Sequence, residues 1–186
     1  DIVMANADRC QLAKDLYWGA GKLNSRAEQL ALELAMTLSA DAEIFLDIGA
    51  YTGLFALAVA RRNPKVVSHA YEIVPENFQY LWENVILNNL VRRVRPHLMG
   101  IGTAAGTVCV SAEPGPGVLA SSIALDSTVG NGVIIPVNSL DSLFPELNGR
   151  MVWKIDVEGF EWAVLDGGRA LIGRMKPDII CEVLRR

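Results

Sequence analysis

The chain has 186 residues, of which 51% are apolar and 20% are charged, and its net charge is −4. This length suits one domain with a sizeable core, and the acidic balance gives no support for a nucleic-acid or membrane partner. No apolar run approaches the ~20 residues of a membrane span, and the three cysteines lack metal-site spacing. We therefore expect a single cytoplasmic domain over residues 1–186, with reduced thiols and no metal.

Residues 1–40 are expected to form an N-terminal helical segment ahead of a core over 42–186. Ser25 and Glu28 have the spacing of a capping box, which predicts a helix from there to about Ser39. The preceding stretch, with Tyr17 and Trp18, either folds over a ligand or packs against the domain. We favour packing.

The core opens with an apolar run at 44–46 that predicts a buried strand. Asp47, Gly49 and Gly53 then form a turn before an apolar helix over 54–60. Strand, glycine turn and helix together are typical of a nucleotide-binding βαβ unit, because glycine lets the backbone approach a ligand closely. The alternative is an ordinary turn that happens to contain two glycines.

The pattern then continues as strand, helix and strand over 65–73, 75–88 and 94–99, which predicts a parallel sheet. The helix has an apolar stripe that we expect to be buried. This stripe consists of Phe78, Leu81, Trp82, Val85 and Ile86. Trp153 and Trp162 are likewise expected to pack in the protein.

Residues 100–137 are rich in glycine and carry short β-prone pieces at 107–111 and 133–137, which predicts a hairpin or loop excursion. A fourth strand follows at 151–156, then a helix at 160–166 and a last strand at 178–184. The predicted fold class is α/β, with a Rossmann-like, mostly parallel sheet and helices on both faces.

Glu72 ends the second strand at about the 20-residue distance from the glycine turn where an acid binds ribose hydroxyls. A nicotinamide-linked oxidoreductase is the main alternative. Its turn has the pattern G-x-G-x-x-G, whereas this turn is Asp47-x-Gly49-x-x-x-Gly53. An acid that opens a sparser glycine turn is instead typical of S-adenosylmethionine enzymes with this fold.

Several blocks between Ala42 and Glu182 resemble FkbM-type methyltransferases. They are Asp47-Ile-Gly-Ala-Tyr-Thr-Gly-Leu-Phe, Tyr71-Glu72-Ile-Val-Pro-Glu-Asn, Ser139-Leu-Asp-Ser-Leu, Lys154-Ile-Asp-Val-Glu-Gly-Phe-Glu161, Val164-Leu-Asp-Gly167 and Lys176-Pro-Asp-Ile-Ile-Cys-Glu182. The resemblance implies the class I methyltransferase type of sheet, S-adenosylmethionine as cofactor and methyl transfer to an oxygen of a small molecule or sugar. It also implies a terminal antiparallel strand pair, which this sequence lacks before it ends at Arg186.

The resemblance places cofactor contacts on seven residues. They are Asp47, Gly49, Ala50, Tyr51, Gly53, Glu72 and Asn77. A non-catalytic module that binds the cofactor on the same fold remains a third alternative.

Asp156, Glu158 and Glu182 follow the fourth and fifth strands, at the sheet edge where ligands bind. Methyl transfer to a hydroxyl needs a base, and we predict Asp156 as catalytic, with Glu158 second. For Glu161 we favour stabilisation of a helix start, and for Lys154 a pairing with a carboxylate is at least as plausible as catalysis.

His69 and His97 fall inside strands and are expected to be core or edge residues. The apolar last strand would lie at an open sheet edge, so we also expect association of two chains there.

Overall fold

The computed structural model of the protein describes residues 1–182 except Asn6, 112–123, 127–131 and Leu147. Within these residues the helices are α1 (Gln11–Trp18), α2 (Arg26–Leu38), α3 (Leu54–Arg62), α4 (Pro75–Leu87), α5 (Leu140–Leu143), α6 (Glu161–Gly167) and α7 (Arg169–Met175). The strands are β1 (Ile44–Ile48), β2 (Val67–Glu72), β3 (Val94–Leu98), β4 (Gly100–Ile101), β5 (Gly106–Ser111), β6 (Ala124–Asp126), β7 (Val133–Asn138), β8 (Met151–Ile155) and β9 (Asp178–Cys181). None of the helices described is long and apolar enough to cross a membrane.

The central sheet has five parallel strands in the order β3-β2-β1-β8-β9. The middle strand, β1, is buried along its whole length, as its uninterrupted apolar run predicts for a strand that is covered on both faces. The parallel α/β sheet predicted from the sequence is confirmed. The expectation about a terminal strand pair concerns chain beyond the described residues and stays a prediction.

Helices cover both faces of this sheet. On one face, side chains of α2, α3 and α4 pack on Phe45 and Val152. On the other, α5, α6 and α7 pack on Leu46 and Trp153. The four strand side chains, Phe45, Val152, Leu46 and Trp153, are fully buried. Burial of that extent stabilises the fold by about 1.5–3 kcal/mol per large apolar side chain.

The predicted glycine-rich excursion is a second, small sheet in the order β4-β7-β5-β6. Its β5 and β7 pair antiparallel, with Val108 opposite Ile135, so the two predicted β-prone pieces do pair. Their connection at 112–123 and 127–131 lies outside the described residues. Val108 and Val137 face the cavity described below, which places this sheet beside the ligand site.

The apolar stripe predicted for α4 is only partly correct. Leu81 and Val85 are buried, but Trp82 and Ile86 are 45% and 50% exposed. Their expected place is taken by Asn84 and two other buried asparagines, Asn77 and Asn88. Periodicity misidentified the face because a buried asparagine is compatible with a core position once its amide is hydrogen-bonded.

Two of these asparagines hold the N-terminal segment against α4. The Asn88 amide group accepts from the Val3 N–H at 3.0 Å and donates to the Val3 carbonyl at 2.7 Å. Asn84 accepts from the Ala5 N–H at 2.5 Å. These bonds hold residues 3 and 5 against α4, whereas Tyr17 and Trp18 are 75% and 81% exposed. For the stretch around Tyr17 and Trp18, the choice between packing and folding over a ligand stays a prediction.

Trp162 is 72% exposed, so its expected packing role is wrong, whereas the fully buried Trp153 fits that expectation.

Strand β9 ends the central sheet at one side. An edge strand has unpaired backbone groups, and association of two chains through it stays a prediction.

A histidine pair lies between β2 and β3. Nδ1 of His69 is 3.2 Å from Nε2 of His97, and His97 stacks on the Tyr71 ring at 4.6 Å. Burial, together with electrostatic repulsion from His97 and Arg95, lowers the pKa of His69 to about 4. Burial also lowers the pKa of His97. Both rings are therefore neutral at neutral pH, in keeping with their expected place inside strands.

We expect His69 to make stability fall as the pH drops from its ordinary pKa of 6.5 towards about 4, because the unfolded chain then binds a proton that the native ring does not. Asp47 and Glu72 act in the opposite direction, since their pKa values are raised. Comparing the wild type with His69→Gln isolates the contribution of His69 to the pH dependence of stability. In urea unfolding, the destabilisation by this substitution should be smaller at about pH 5 than at about pH 7.5, and equal values would contradict the assignment.

Candidate functional site

A cavity of about 910 Å³ opens at the carboxyl ends of the central strands. Its lining includes Gly49 after β1, Glu72 at the end of β2, Asp156 after β8 and Glu182 after β9. This is the edge of a parallel sheet where ligands bind. The volume is near the upper end of the roughly 300–1,000 Å³ of ligand pockets, which is enough for a cofactor and an acceptor together.

The glycine turn has an unusual backbone that brings it against the loop after β8. Gly49, Tyr51 and Gly53 all have positive φ, at 79°, 51° and 88°. A Cβ on Gly49 would lie 1.8 Å from the carbonyl oxygen of Asp156. Glycine is therefore required at position 49 for two reasons, its left-handed φ and the close approach of another backbone segment.

Asp47 and Gly53 support this turn from behind. Asp47 is fully buried, and its Oδ2 accepts the Ala56 N–H at 3.0 Å. Ala56 is in the first turn of α3, whose N-cap residue, Gly53, has no side chain to accept that bond. Asp47 thus performs the capping from a neighbouring strand. Neither residue is among those that line the cavity, and their predicted contact with the cofactor stays a prediction.

Glu72 is 6% exposed and lines the cavity. Its Oε2 accepts the Tyr51 N–H at 2.7 Å, and its Oε1 accepts the N–H groups of Ile73 and Val74 at 3.0 and 2.7 Å. Burial raises the pKa of Glu72 to about 7, against the effect of these bonds. A carboxylate has about four acceptor positions, so one remains for a ligand hydroxyl.

The other predicted cofactor residues lie around this carboxylate. Ala50 and Tyr51 form the turn that lines the cavity, and Asn77 lines it from the first turn of α4. The Tyr51 side chain packs with Cys10 and Tyr80 beneath the N-terminal segment, and burial raises its pKa. The structure brings five of the seven predicted residues to one wall of the cavity, and the role of each stays a prediction.

Lys154 connects the turn to the catalytic candidates. Its Nζ donates to the Gly49 carbonyl at 2.8 Å and lies 3.2 Å from Asp156 Oδ2 and 3.7 Å from Asp47 Oδ1. Its side chain is 8% exposed. Burial raises the pKa of Asp47 to about 6 although this ammonium opposes the shift. The expected pairing of Lys154 with a carboxylate is confirmed.

The acids after β8 and β9 converge. Carboxylate oxygens of Asp156, Glu158 and Glu182 lie within 4.8 Å of one another. Burial alone would raise the pKa of Asp156, but Lys154 and a hydrogen bond with Glu182 outweigh it and lower that pKa. The same hydrogen bond is the main cause that raises the pKa of Glu182. At neutral pH Asp156 is thus the ionised member of the pair.

The loop between β8 and α6 has its own support. Glu158 and Gly159 both have positive φ, at 54° and 103°. The Glu161 carboxylate accepts the Gly159 N–H at 2.9 Å and the Val157 N–H at 3.4 Å. Glu161 therefore shapes the loop at the start of α6, in keeping with the structural role favoured for it, while Glu158 lines the cavity.

Two acids of the N-terminal segment also line the cavity, Asp15 on α1 and Glu28 on α2. Sequence reasoning missed both. Glu28 is in a capping-box pattern, and its backbone N–H does bond to Ser25 Oγ at 3.3 Å. Its pKa is raised by burial and by the charges of Asp15 and Asp156, so its side chain belongs to the site. Nothing in the sequence distinguishes a glutamate that belongs to a capping box from one whose side chain also lines a ligand cavity.

A family model described as the methyltransferase FkbM domain matches residues 47–186. The chain belongs to the FkbM methyltransferase family. Its cofactor is accordingly S-adenosylmethionine, and the family does not support the nicotinamide alternative. The glycine turn, the partly filled Glu72 carboxylate and the open cavity beside them fit a ligand with ribose hydroxyls.

A search of curated proteins found no match. Among solved structures, the precorrin-6y C5,15-methyltransferase from Geobacter metallireducens is 12% identical over 84% of this chain and 63% of that one, with a TM-score of 0.49. TYW2 from Pyrococcus horikoshii in complex with MeSAdo is 26% identical over 44% of this chain, with a TM-score of 0.37. An O-methyltransferase family protein from Burkholderia thailandensis is 19% identical over 39% of this chain and 22% of that one, with a TM-score of 0.34. The match to TYW2 spans 30% of the length of that protein.

We expect Gly49→Ala to abolish binding of S-adenosylhomocysteine in calorimetry and to lower the melting temperature, because the added Cβ meets the Asp156 carbonyl. Gly21→Ala is the matched control. Gly21 also has positive φ but has no atom within 4 Å of the added Cβ. It should cost about 1–2 kcal/mol of stability and leave the affinity unchanged. Normal binding by Gly49→Ala would refute the close-approach explanation.

Lys154→Met should lower the free energy of unfolding by about 3–5 kcal/mol, because it leaves the buried Asp47 carboxylate without its cation. The double variant Asp47→Asn, Lys154→Met should recover part of this loss, since asparagine can still accept the Ala56 N–H. Urea unfolding of the wild type, both single variants and the double variant measures the coupling. Simple additivity of the two effects would show that the pair does not interact.

Proposed function

We propose that this chain is an S-adenosylmethionine-dependent methyltransferase that modifies a hydroxyl oxygen of a small molecule or sugar. The observation that carries the proposal is the Asp156–Glu182 pair, which lies in the same cavity as the glycine turn and Glu72. Family membership supports methyl transfer, and the paired carboxylates support oxygen as the acceptor because a hydroxyl must lose a proton during the reaction.

On the cofactor side, the backbone of residues 49–51 and the Glu72 carboxylate would hold the nucleoside, with Asn77 beside them. Glu72 accepts ribose hydroxyls at the position left by its three backbone donors. When bound, the cofactor supplies a methyl group on a positively charged sulfur. Asp47 and Gly53 act through the shape of the turn rather than at the cavity surface.

On the acceptor side, the two carboxylates have different tasks. Lys154 keeps Asp156 ionised, so Asp156 accepts a hydrogen bond from the acceptor hydroxyl and orients its oxygen. Glu182, whose pKa is raised to about 7, suits a group that takes up the proton near neutral pH. This assignment moves the general base from Asp156, favoured from the sequence, to Glu182.

The proposal is tested by incubating the protein with S-adenosylmethionine and a library of small hydroxyl compounds and sugars. S-adenosylhomocysteine release and the mass gain of one methyl group identify products, and NMR locates the methyl group. Binding of S-adenosylhomocysteine without turnover on any compound would favour the non-catalytic module. A methyl group on nitrogen or carbon would overturn the assignment to oxygen.

For Glu72→Ala we expect the affinity for S-adenosylhomocysteine to fall by about 1–3 kcal/mol, the scale of hydrogen bonds to a charged group. Glu72→Gln should lose less affinity, because its amide oxygen can still accept a hydrogen bond. Glu83→Ala is the control, since Glu83 is half-buried on α4 and outside the cavity. Calorimetry on variants shown to be folded by circular dichroism decides the outcome, and unchanged affinity in Glu72→Ala removes the residue from the site.

With an acceptor from the screen, Glu182→Gln should remove the ionisation near pH 7 from the pH profile of kcat, in line with its raised pKa. The wild-type rate should rise with pH through that value, because the base must be ionised. Asp156→Asn should lower kcat at every pH with little change in cofactor affinity. A wild-type profile in Glu182→Gln would return the role of base to Asp156.

A further inference from the structure

The charge of the cavity is strongly one-sided. Among the described residues that line it, six carboxylates face one ammonium group, that of Lys154. The carboxylates belong to Asp15, Glu28, Glu72, Asp156, Glu158 and Glu182. Such a lining favours ligands with positive charge and disfavours anionic ones.

Lys154 is engaged by the protein itself. Its ammonium donates to the Gly49 carbonyl at 2.8 Å, pairs with Asp156 at 3.2 Å and lies 3.7 Å from the buried Asp47 carboxylate. The described lining therefore offers no free cation to a phosphate or carboxylate on the acceptor.

Three of the acids, Glu28, Glu158 and Glu182, are each destabilised as anions by the charge of Asp156. Burial raises the pKa of Glu28, and the charges of Asp15 and Asp156 raise it further. Burial also raises the pKa of Glu158, and Asp156 and Glu161 add to that effect. The pKa of Glu182 is raised chiefly by its hydrogen bond to Asp156. A bound cation would relieve this repulsion.

The cofactor accounts for only part of the charge, since its sulfonium, amine and carboxylate together carry one net positive charge. Two acids are already used elsewhere. Glu72 accepts three backbone N–H groups, and its one remaining acceptor position is assigned to ribose. Asp15 accepts from Gln11 Nε2 at 2.7 Å and Asn24 Nδ2 at 2.8 Å. Glu28 and Glu158 remain. Both line the cavity, a carboxylate oxygen of Glu158 lies within 4.8 Å of one of Asp156, and the charge of Asp156 acts on Glu28.

We propose that the acceptor sharing this cavity with S-adenosylmethionine carries a protonated amine besides its hydroxyl, and that Glu28 and Glu158 bind this amine. Amino sugars and aromatic or alicyclic amino alcohols belong to this class. The inference rests on the proposed function, since it names the acceptor of that same site. Phe160 also lines the cavity, and aromatic rings attract cations.

The test uses protein saturated with S-adenosylhomocysteine and ligand-observed NMR on matched probes. Each set contains an amine, its N-acetyl form and its neutral analogue, namely glucosamine, N-acetylglucosamine and glucose, and tyramine, N-acetyltyramine and p-cresol. Glucose 6-phosphate is the anionic probe. We expect the amine of at least one set to bind about tenfold more tightly than its acetylated form, and this preference should shrink as salt screens the carboxylates.

Glu28→Gln and Glu158→Gln should each reduce the amine preference several-fold. Glu33→Gln is the matched control, because it removes the same charge from α2 at an exposed position outside the cavity. Equal binding of amine and acetylated probes in both sets, or tighter binding of glucose 6-phosphate, would overturn the inference. Displacement of the amine by millimolar Mg²⁺ or Ca²⁺ would assign the carboxylates to a divalent cation instead and would also overturn it.

Failure of the proposed function has a different signature. In that case S-adenosylhomocysteine does not bind in calorimetry, or it binds and no hydroxyl compound is methylated. The amine preference is a binding measurement that needs no turnover. Repeating it without S-adenosylhomocysteine keeps it measurable where that compound does not bind, so its presence or absence decides the inference independently of the proposed function.

Discussion

The buried ammonium of Lys154 is the interaction on which the site depends. It contacts the carbonyl of Gly49, the carboxylate of Asp47 and the carboxylate of Asp156, and so connects β1 and the turn after it with β8 and the loop after it. A buried cation is tolerated only where anions and dipoles surround it. The same contacts hold the glycine turn in place and keep Asp156 ionised, so the turn and the acids of the cavity are electrostatically coupled.

The backbone around this ammonium is strained where it lines the cavity. Left-handed residues occur in the turn at Gly49 and Tyr51 and again in the loop at Glu158. Strain of this kind persists only where the surroundings enforce it. Here the close contact of Gly49 with Asp156, the Glu72 bond to the Tyr51 N–H and the support from Glu161 enforce it. The shape of the site therefore depends on the packed strands below it.

The N-terminal segment completes the cavity, and sequence patterns identified it least well. Its helix α2 was predicted from the capping spacing and composition, but its contribution of Glu28 to the site was not, because that residue also satisfies a local rule. The exposed Trp82 and Trp162 were expected to pack for a similar reason. Periodicity records which residues are apolar, whereas burial depends on what packs opposite them, and buried asparagines such as Asn84 break the pattern.

The sequence by itself determined the parallel α/β sheet, the glycine turn, the acid at the end of the second strand and the family. Each of these depends on local features, such as runs of apolar residues, glycines at positive φ and short motifs. Such features involve residues close together in the sequence and can therefore be recognised from it. Only the tertiary structure decided that Asp47 caps α3, that Lys154 holds the turn after β1 and that Glu182 is hydrogen-bonded to Asp156. Those contacts depend on which strands lie side by side and on burial, which no local pattern specifies.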